Sequence, residues 1–186
     1  MPHPAAGPAF WHERWSTQQI GFHRDSPNPL LLDHWHFPPG RVLVPLCGAS
    51  LDLGWLAAQG NEVVGVELSP LACEKFFRDA GIEPASEGNT LSAGGITLVH
   101  GDFFQYRPAQ GFDAFYDRAA MIALPAELRP AYVAHVKSLL RRPYRGLVVS
   151  MAYDQARRDG PPFSVPGHEV RASWRGARRV HHAQLD

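Results

Sequence analysis

The feature that most limits the fold is a regular alternation of short apolar runs with helical segments, which begins at Arg41. The runs are RVLVPLCG, EVVGVE, ITLVHGDF, FDAFYD and GLVVSMAYD. The segments between them, such as PLACEKFFRDAG, carry apolar residues at helical spacing and end on Gly. Apolar runs of this length, joined by helices, are typical of parallel strands that are buried on both faces. The pattern predicts an α/β fold with a doubly wound, mostly parallel sheet.

The whole chain of 186 residues is expected to form a single domain. Residues 1–40 are rich in proline, so they are not expected to form a separately folding domain. Residues 41–160 hold the alternating pattern and are predicted to form the cofactor-binding sheet. Residues 171–186 contain four arginines and a His-His pair but no periodicity, so we expect an atypical, solvated or disordered end.

Charge and cysteine content exclude several classes of protein. Basic and acidic side chains balance at 18 each, which argues against a nucleic-acid or membrane-surface binder. No apolar stretch approaches the ~20 residues of a membrane span. The two cysteines lie in apolar runs, which favours a reducing compartment, and we expect a cytoplasmic monomer. The histidine pairs have no Cys or carboxylate at zinc spacing, so no metal site is predicted.

A ligand of such a sheet binds beyond the carboxyl ends of the strands, near the first strand–turn–helix unit. Here that turn is PLCGAS, and Glu67 at the end of the second run lies twenty residues after Cys47. An acidic residue at this place can accept both hydroxyls of a ribose. The turn holds one Gly where a dinucleotide fingerprint has three, which disfavours NAD or FAD. A nucleoside without phosphates, such as the adenosyl half of S-adenosylmethionine, fits better.

Two further strand ends point to the same crevice. Asp102 could meet an adenine amino group while Phe103 packs on the ring, although a helix cap and a core residue are the simpler interpretations. Arg118 could form an ion pair with Asp117 or Glu67. Its forked guanidinium is equally suited to hold the methionine carboxylate of the cofactor.

Eight motifs, in this order, resemble the bacterial thiopurine S-methyltransferases, which are class I S-adenosylmethionine-dependent methyltransferases. They are FWHERW, QIGFH, NPLL, RVLVPLCG, GVELS, GDFF, YDRAAMIALP, and YDQ followed by GPPFSV. The resemblance covers residues 10 to 170, and PLCG, QIGFH and DRAAMIALP together are specific.

The resemblance implies roles for residues that match these motifs. The implied cofactor contacts are Trp11, Trp15, Leu46, Glu67, Asp102, Phe103 and Arg118. Phe22 is implied to border the acceptor pocket, and residues 1–40 are implied to form a lid segment that folds over the cofactor. The aromatics among them could instead merely plug the open end of the sheet.

The chain departs from the family at three places, one of which is the short linker between Trp35 and Arg41. Ala49 follows PLCG where the family commonly has Lys, and the two-stranded hairpin that closes the family's sheet is expected to be missing or altered here.

The resemblance implies a methyltransferase that acts on aromatic or heterocyclic thiols such as thiopurines, and on selenium or tellurium compounds. A truncated, non-catalytic remnant that binds the nucleoside is the alternative, and a nicotinamide-dependent oxidoreductase is weaker. No catalytic residue is certain, and Arg118 is the candidate for holding charge. Among Asp117, Arg118 and His23, none is expected to act as an essential base, because an aromatic thiol is largely ionised near neutral pH.

Overall fold

Helices and parallel strands alternate along the chain, as the apolar runs predict. The structure is a computed structural model that describes residues 7–183. In this part of the chain the strands are β1 (Arg41–Pro45), β2 (Glu62–Glu67), β3 (Ala85–Glu87), β4 (Thr90–Ala93), β5 (Ile96–His100), β6 (Phe112–Arg118) and β7 (Leu140–Val149). The α-helices are α1 (Pro8–Ser16), α2 (Pro29–His34), α3 (Asp52–Ala58), α4 (Pro70–Asp79), α5 (Ala120–Ala123), α6 (Arg129–Leu139) and α7 (Gly167–Ser173).

The strands form one sheet in the order β3-β4-β5-β2-β1-β6-β7. The five strands from β5 to β7 run parallel, whereas β3 and β4 pair antiparallel with each other and with β5. The strand order reverses between β1 and β6, and this is where a doubly wound sheet binds its ligand. The predicted fold class is confirmed. No strand follows β7 within residues 7–183, so β7 forms an edge of the sheet there.

Two layers of apolar side chains cover the two faces of the sheet. Successive residues of β1 alternate between them: Val42 and Val44 pack with α2, α3 and α4, whereas Leu43 packs with α5 and α6. This alternation is the geometry of a strand, in which neighbouring side chains point to opposite faces. The central strands are therefore buried on both sides, as their uninterrupted apolar sequence requires.

The hairpin of β3 and β4 was not predicted from the sequence, which reads as turn-rich over residues 82–95. Its strands are short and polar, so they lack the apolar pattern of the central strands. Gly88 and Asn89 connect them, and Gly88 has a positive φ of 59°. A two-residue Gly-Asn connection is itself a hairpin signal.

The boundary between α6 and β7 also differs from the sequence prediction. The helical spacing of apolar residues in LPAELRPAYVAHVKSLLRR predicts a helix that continues to residue 142, and the apolar run GLVVSMAYD predicts a strand that begins at Gly146. In the structure the helix ends at Leu139 and the strand begins at Leu140, so it includes Pro143. Proline is tolerated because β7 is an edge strand. Pro130 lies in the first turn of α6, where its missing N–H costs no hydrogen bond, so it does not kink the helix.

The segment after residue 160 docks on α6 and β6. Arg129 of α6 is buried and binds the carboxylate of Glu169 at 2.9 Å. Trp174, which follows α7, is only 5% exposed and stacks on Phe115 of β6 with ring centroids 4.4 Å apart. Lys137 donates to the carbonyl of Ser173 at 2.6 Å. The expected atypical end thus begins with an α-helical stretch and a buried aromatic, while residues 177–183 contain no helix or strand.

We expect the substitution Trp174→Ala to lower the free energy of unfolding by about 3 to 5 kcal/mol, because it empties a buried indole site. Val180→Ala is the matched control, since Val180 is 50% exposed. Urea denaturation of both variants measures the difference. Equal stabilities would mean that the C-terminal segment does not contribute to the fold.

Candidate active site

The carboxyl ends of the parallel strands open into a continuous cleft of about 2710 Å³. It is bounded by the loop after β1, the end of β2, the turn after β5, the end of β6 and the N-terminal segment, and it extends along β7 and the residues that follow β7. All eight residues that the sequence analysis assigns to cofactor or acceptor line it: Trp11, Trp15, Phe22, Leu46, Glu67, Asp102, Phe103 and Arg118. The structure therefore brings these side chains together, while their contacts with a ligand stay a prediction.

The turn after β1 has an unusual backbone. Leu46 has a positive φ of 49° and Gly48 one of 56°. A Cβ on Gly48 would lie 3.1 Å from Cζ2 of Trp15, which is tighter than ordinary contact. Left-handed non-glycine residues such as Leu46 cost energy and are concentrated at functional sites. The absence of a side chain at Gly48 thus lets the Trp15 ring approach the turn closely.

Glu67 is buried and links two turns. Its Oε2 accepts the N–H of Gly48 at 2.8 Å, and its Oε1 accepts the N–H of Ser69 at 2.8 Å. Burial raises the pKa of Glu67, and the N–H donors of Ser69, Gly48 and Leu68 oppose that rise. A carboxylate has about four acceptor positions, so each oxygen keeps a lone pair for a further donor. The side chain is therefore free to accept a ribose diol from the cleft.

Asp102 and Phe103 take the simpler roles that the sequence left open, although both also line the cleft. Oδ1 of Asp102 accepts the N–H of Phe104 at 2.9 Å and caps a short 3-10 turn. The carboxylate is exposed and its second oxygen is available to a ligand. Phe103 is buried against Tyr132 and His135, with ring centroids 5.6 and 4.9 Å away.

Arg118 contacts the N-terminal segment rather than an acidic side chain. Its Nη2 donates to the carbonyl oxygen of Phe22 at 3.1 Å. In the described chain no carboxylate pairs with it, so the interpretation of an ion pair with Asp117 or Glu67 does not hold. A guanidinium has five N–H donors, and most of those of Arg118 stay available for a carboxylate or an acceptor.

Asp117 is fully buried and serves the backbone. Its Oδ1 accepts the N–H groups of Ala120 and Met121 at 3.1 and 3.2 Å, and its Oδ2 accepts the hydroxyl of Tyr132 at 2.7 Å. Burial raises its pKa to about 6, against the effect of these donors. Asp117 does not line the cleft, so it holds the strand end that presents Arg118.

Three aromatic rings form one wall of the cleft. Phe22 lies edge-on to Trp11 and to Trp15, with centroids 5.8 and 5.7 Å away. Trp15 is buried among core residues, whereas Phe22 is 38% exposed. Trp15 thus belongs to the core as well as to the cleft, and the exposed face of Phe22 is the part of the wall that a ligand could cover.

His23 follows Phe22 but does not line the cleft. Partial burial and the neighbouring Lys75 cation lower its pKa, and Asp79 and Asp25 act in the opposite direction. Lys75 and Asp79 belong to α4, so His23 faces this helix. Neither His23 nor Asp117 is therefore placed to take a proton from a molecule in the cleft.

Sequence reasoning missed the buried polar group of Asn28, Asp52 and Tyr116, which joins the N-terminal segment to the sheet. Asn28 and Asp52 are 24 positions apart in sequence, and Asp52 and Tyr116 are 64 positions apart. Local patterns contain no signal for such pairing, because Asp52 reads as an ordinary first-turn acid and Tyr116 as a strand residue.

Two negative findings concern the part of the chain from residue 7 to 183. No three His, Cys, Asp or Glu side chains come together in a way that could hold a metal ion. Nor is any helix there long and apolar enough to cross a membrane.

Comparison with known families gives a match over nearly the whole chain. The family model of thiopurine S-methyltransferase matches residues 6–185. A protein of Pseudomonas paraeruginosa named thiopurine S-methyltransferase is 48% identical over 180 residues, covering 89% of this chain and 83% of its own. A protein of the same name from Bordetella petrii is 47% identical over 177 residues, covering 90% and 81%.

Solved structures with the same fold are more distant. The 1,6-didemethyltoxoflavin-N1-methyltransferase of Burkholderia thailandensis, with bound 1,6-didemethyltoxoflavin and S-adenosylhomocysteine, has a TM-score of 0.61 at 18% identity and covers 81% of this chain and 63% of its own. A TehB-like SAM-dependent methyltransferase from Corynebacterium glutamicum has a TM-score of 0.56 at 18% identity, with 92% and 82% covered. At these identities the likeness is one of fold.

Replacing Glu67 by Ala should raise the Kd for S-adenosylhomocysteine about 100-fold, because two charge-assisted hydrogen bonds to the ribose are lost. Isothermal titration calorimetry measures it. Glu67→Gln, which keeps the shape and one acceptor oxygen, should give an intermediate Kd.

Glu62→Ala is the control for Glu67→Ala, since Glu62 begins the same strand at its opposite end and contacts Arg41. An unchanged Kd in a folded Glu67→Ala variant would remove Glu67 from the site.

Proposed function

This chain belongs to the thiopurine S-methyltransferase family of S-adenosylmethionine-dependent enzymes, and we propose from that premise that its acceptors are aromatic or heterocyclic thiols such as thiopurines. The observation that carries the proposal is the position of the Trp11, Trp15 and Phe22 wall. It stands directly over the strand ends where Glu67 offers its free lone pairs.

The residues of the cleft fit an adenosyl cofactor. Gly48 lets the Trp15 ring pack closely on the turn, Glu67 is set to accept ribose hydroxyls, and Asp102 has a free carboxylate oxygen at the next strand end. When bound, S-adenosylmethionine supplies a methyl group to the acceptor sulfur and leaves as S-adenosylhomocysteine. We propose that Arg118 holds the carboxylate of the cofactor or a negative charge on the acceptor.

The aromatic wall suits both partners of such a transfer. A planar heterocycle can stack or pack edge-on against Phe22, and π faces attract a positively charged sulfonium. The wall also excludes water from the reacting atoms, whose alignment contributes most to the rate. Thiols and reduced selenium or tellurium species all present a soft nucleophilic atom. We therefore include selenium and tellurium compounds as further acceptors.

No essential general base is needed in this mechanism. An aromatic thiol has a pKa below the ~8.5 of a cysteine thiol, so more of its sulfur is ionised at neutral pH than in a cysteine, and the thiolate is the form that accepts the methyl group. The positions of His23 and Asp117 outside the cleft support this proposal. Arg118 has no lone pair to accept a proton, and its part is to hold charge.

We also propose that the protein works as a cytoplasmic monomer. In support, Cys47 and Cys73 are both free and buried, which suits a reducing compartment. Burial also raises the pKa of both thiols, so neither is expected to act as a nucleophile.

Incubation with methyl-labelled S-adenosylmethionine and 6-mercaptopurine tests the proposed activity. We expect labelled S-methyl product, and no product with hypoxanthine, which has oxygen in place of the sulfur. A melting temperature that rises with S-adenosylhomocysteine confirms in parallel that the preparation is folded and binds the nucleoside. Binding without transfer to any thiol would instead support the non-catalytic alternative.

The variant His23→Gln should keep most of the turnover with 6-mercaptopurine, because His23 is not placed to take the proton. Arg118→Ala should weaken binding of cofactor or acceptor about tenfold or more, since a charged hydrogen bond is worth ~1.5 to 3 kcal/mol. Steady-state kinetics with each substrate varied separates the two effects. A loss of several orders of magnitude in kcat for His23→Gln, at unchanged KM, would make His23 catalytic.

A further inference from the structure

A buried carboxylate with no cation beside it lies between the N-terminal segment and the sheet. Asp52, the first residue of α3, is 2% exposed. Its Oδ1 accepts the backbone N–H of Asn28 at 2.6 Å, and its Oδ2 accepts the hydroxyl of Tyr116 at 2.9 Å. In the described part of the chain no Lys, Arg or His pairs with it. A buried charge is costly without partners, so these two hydrogen bonds are what keep it there.

Asn28 marks the point where the N-terminal segment joins the body of the protein. It is 7% exposed, and its side chain accepts the N–H of Leu30 at 3.0 Å and so caps α2. The preceding residues 17–27 contain no helix or strand. Within this loop Ile20 packs against the core and His23 faces α4, and hydrogen bonds also hold the loop at Phe22 and Asn28.

Both ends of the stretch from Phe22 to Asn28 are held from β6. Arg118 donates to the carbonyl of Phe22 at one end, and Tyr116 acts through Asp52 on Asn28 at the other. Tyr116 and Arg118 are two residues apart on the strand, so they lie on the same face of the sheet. The loop is thus fixed at two points by one strand.

We infer that Asp52 and Tyr116 are positioning residues for the acceptor wall, which they set through the Asn28 anchor. This inference rests on the proposed function, since it concerns the same site. The Phe22 ring meets Trp11 and Trp15 edge-on, and its orientation follows from where the loop is held. Neither Asp52 nor Tyr116 lines the cleft, so neither contacts a ligand there.

The inference predicts that these variants change the KM for the acceptor but not the Kd for the cofactor. Asp52→Ala should raise the KM for 6-mercaptopurine about tenfold, the equivalent of about 1.4 kcal/mol. The Kd for S-adenosylhomocysteine should change little, because Glu67 and its two turns are untouched. Asp52→Asn should restore the KM, since its Oδ1 can still accept from Asn28 and its amide can donate to the Tyr116 oxygen. Tyr116→Phe, which removes one bond, is the milder variant if Asp52→Ala does not fold.

Asp113→Ala is the matched control. Asp113 also accepts a backbone N–H, that of Arg41 at 2.9 Å, but at the amino end of the sheet. This variant should lose stability without any change in KM. If Asp52→Ala and Tyr116→Phe lose stability as Asp113→Ala does and keep the wild-type KM, the positioning role is overturned.

Limited trypsin digestion gives a readout that does not depend on methyl transfer. Arg24 is exposed within the loop, and cleavage after it reports how firmly the loop is held. Cleavage at Arg24 should be faster in Asp52→Ala and Tyr116→Phe than in the wild type and Asp113→Ala. Equal rates would contradict the anchor, whereas a wild type inactive on thiols with faster cleavage in the variants would refute only the proposed function.

Discussion

The Glu67 carboxylate is the interaction on which the site depends. It ties the turn after β1 to the turn after β2 by accepting N–H groups from Gly48 and Ser69, while the carbonyl of Glu67 accepts the N–H of Gly101 after β5. Three parallel strand ends are thereby held in one register. The cleft opens above these ends, so its floor is formed by hydrogen-bonded turns instead of mobile loops. The buried charge is stabilised by backbone donors, because no cation of the described chain pairs with it.

The N-terminal segment is the second part of the site, and its helix and its loop are held to the sheet in different ways. Trp15 packs into the core and covers Gly48, which connects the segment to the floor of the cleft. Beyond Trp15, Ile20 also packs against the core, and the following part of the loop has polar contacts with β6 and α3. Local stability therefore decreases from the helix to the loop, and low-stability segments of this kind commonly border ligand sites. The hydrogen bonds of Arg118 and Asp52 are the contacts through which we expect the sheet to position this part of the site.

The fold and the site differ in how much of each the sequence could predict. The five parallel strands were predictable because burial on both faces requires uninterrupted apolar runs, and Glu67, Asp102 and Arg118 followed from their places at strand ends. The β3–β4 hairpin and the start of β7 were not, since short polar strands and an arginine-rich edge strand carry no such pattern. The Asp52–Tyr116 contact could not be predicted either. It joins residues far apart in sequence, and only the packing of α3 against the sheet brings them together.

The raised pKa of Glu67 is expected to couple ligand binding to the release of a proton. Burial makes the protonated form of the free protein more favourable than in water, whereas donors from a ribose favour the ionised form. A nucleoside whose hydroxyls bind Glu67, as we propose, should therefore displace a proton from the fraction of molecules in which Glu67 is protonated. By linkage, its affinity decreases as the solution becomes more acidic. At pH values where protonated and ionised Glu67 coexist in the free protein, the buffer takes up the displaced proton. The measured heat of binding then includes the ionisation heat of the buffer, so the same complex has different apparent enthalpies in different buffers.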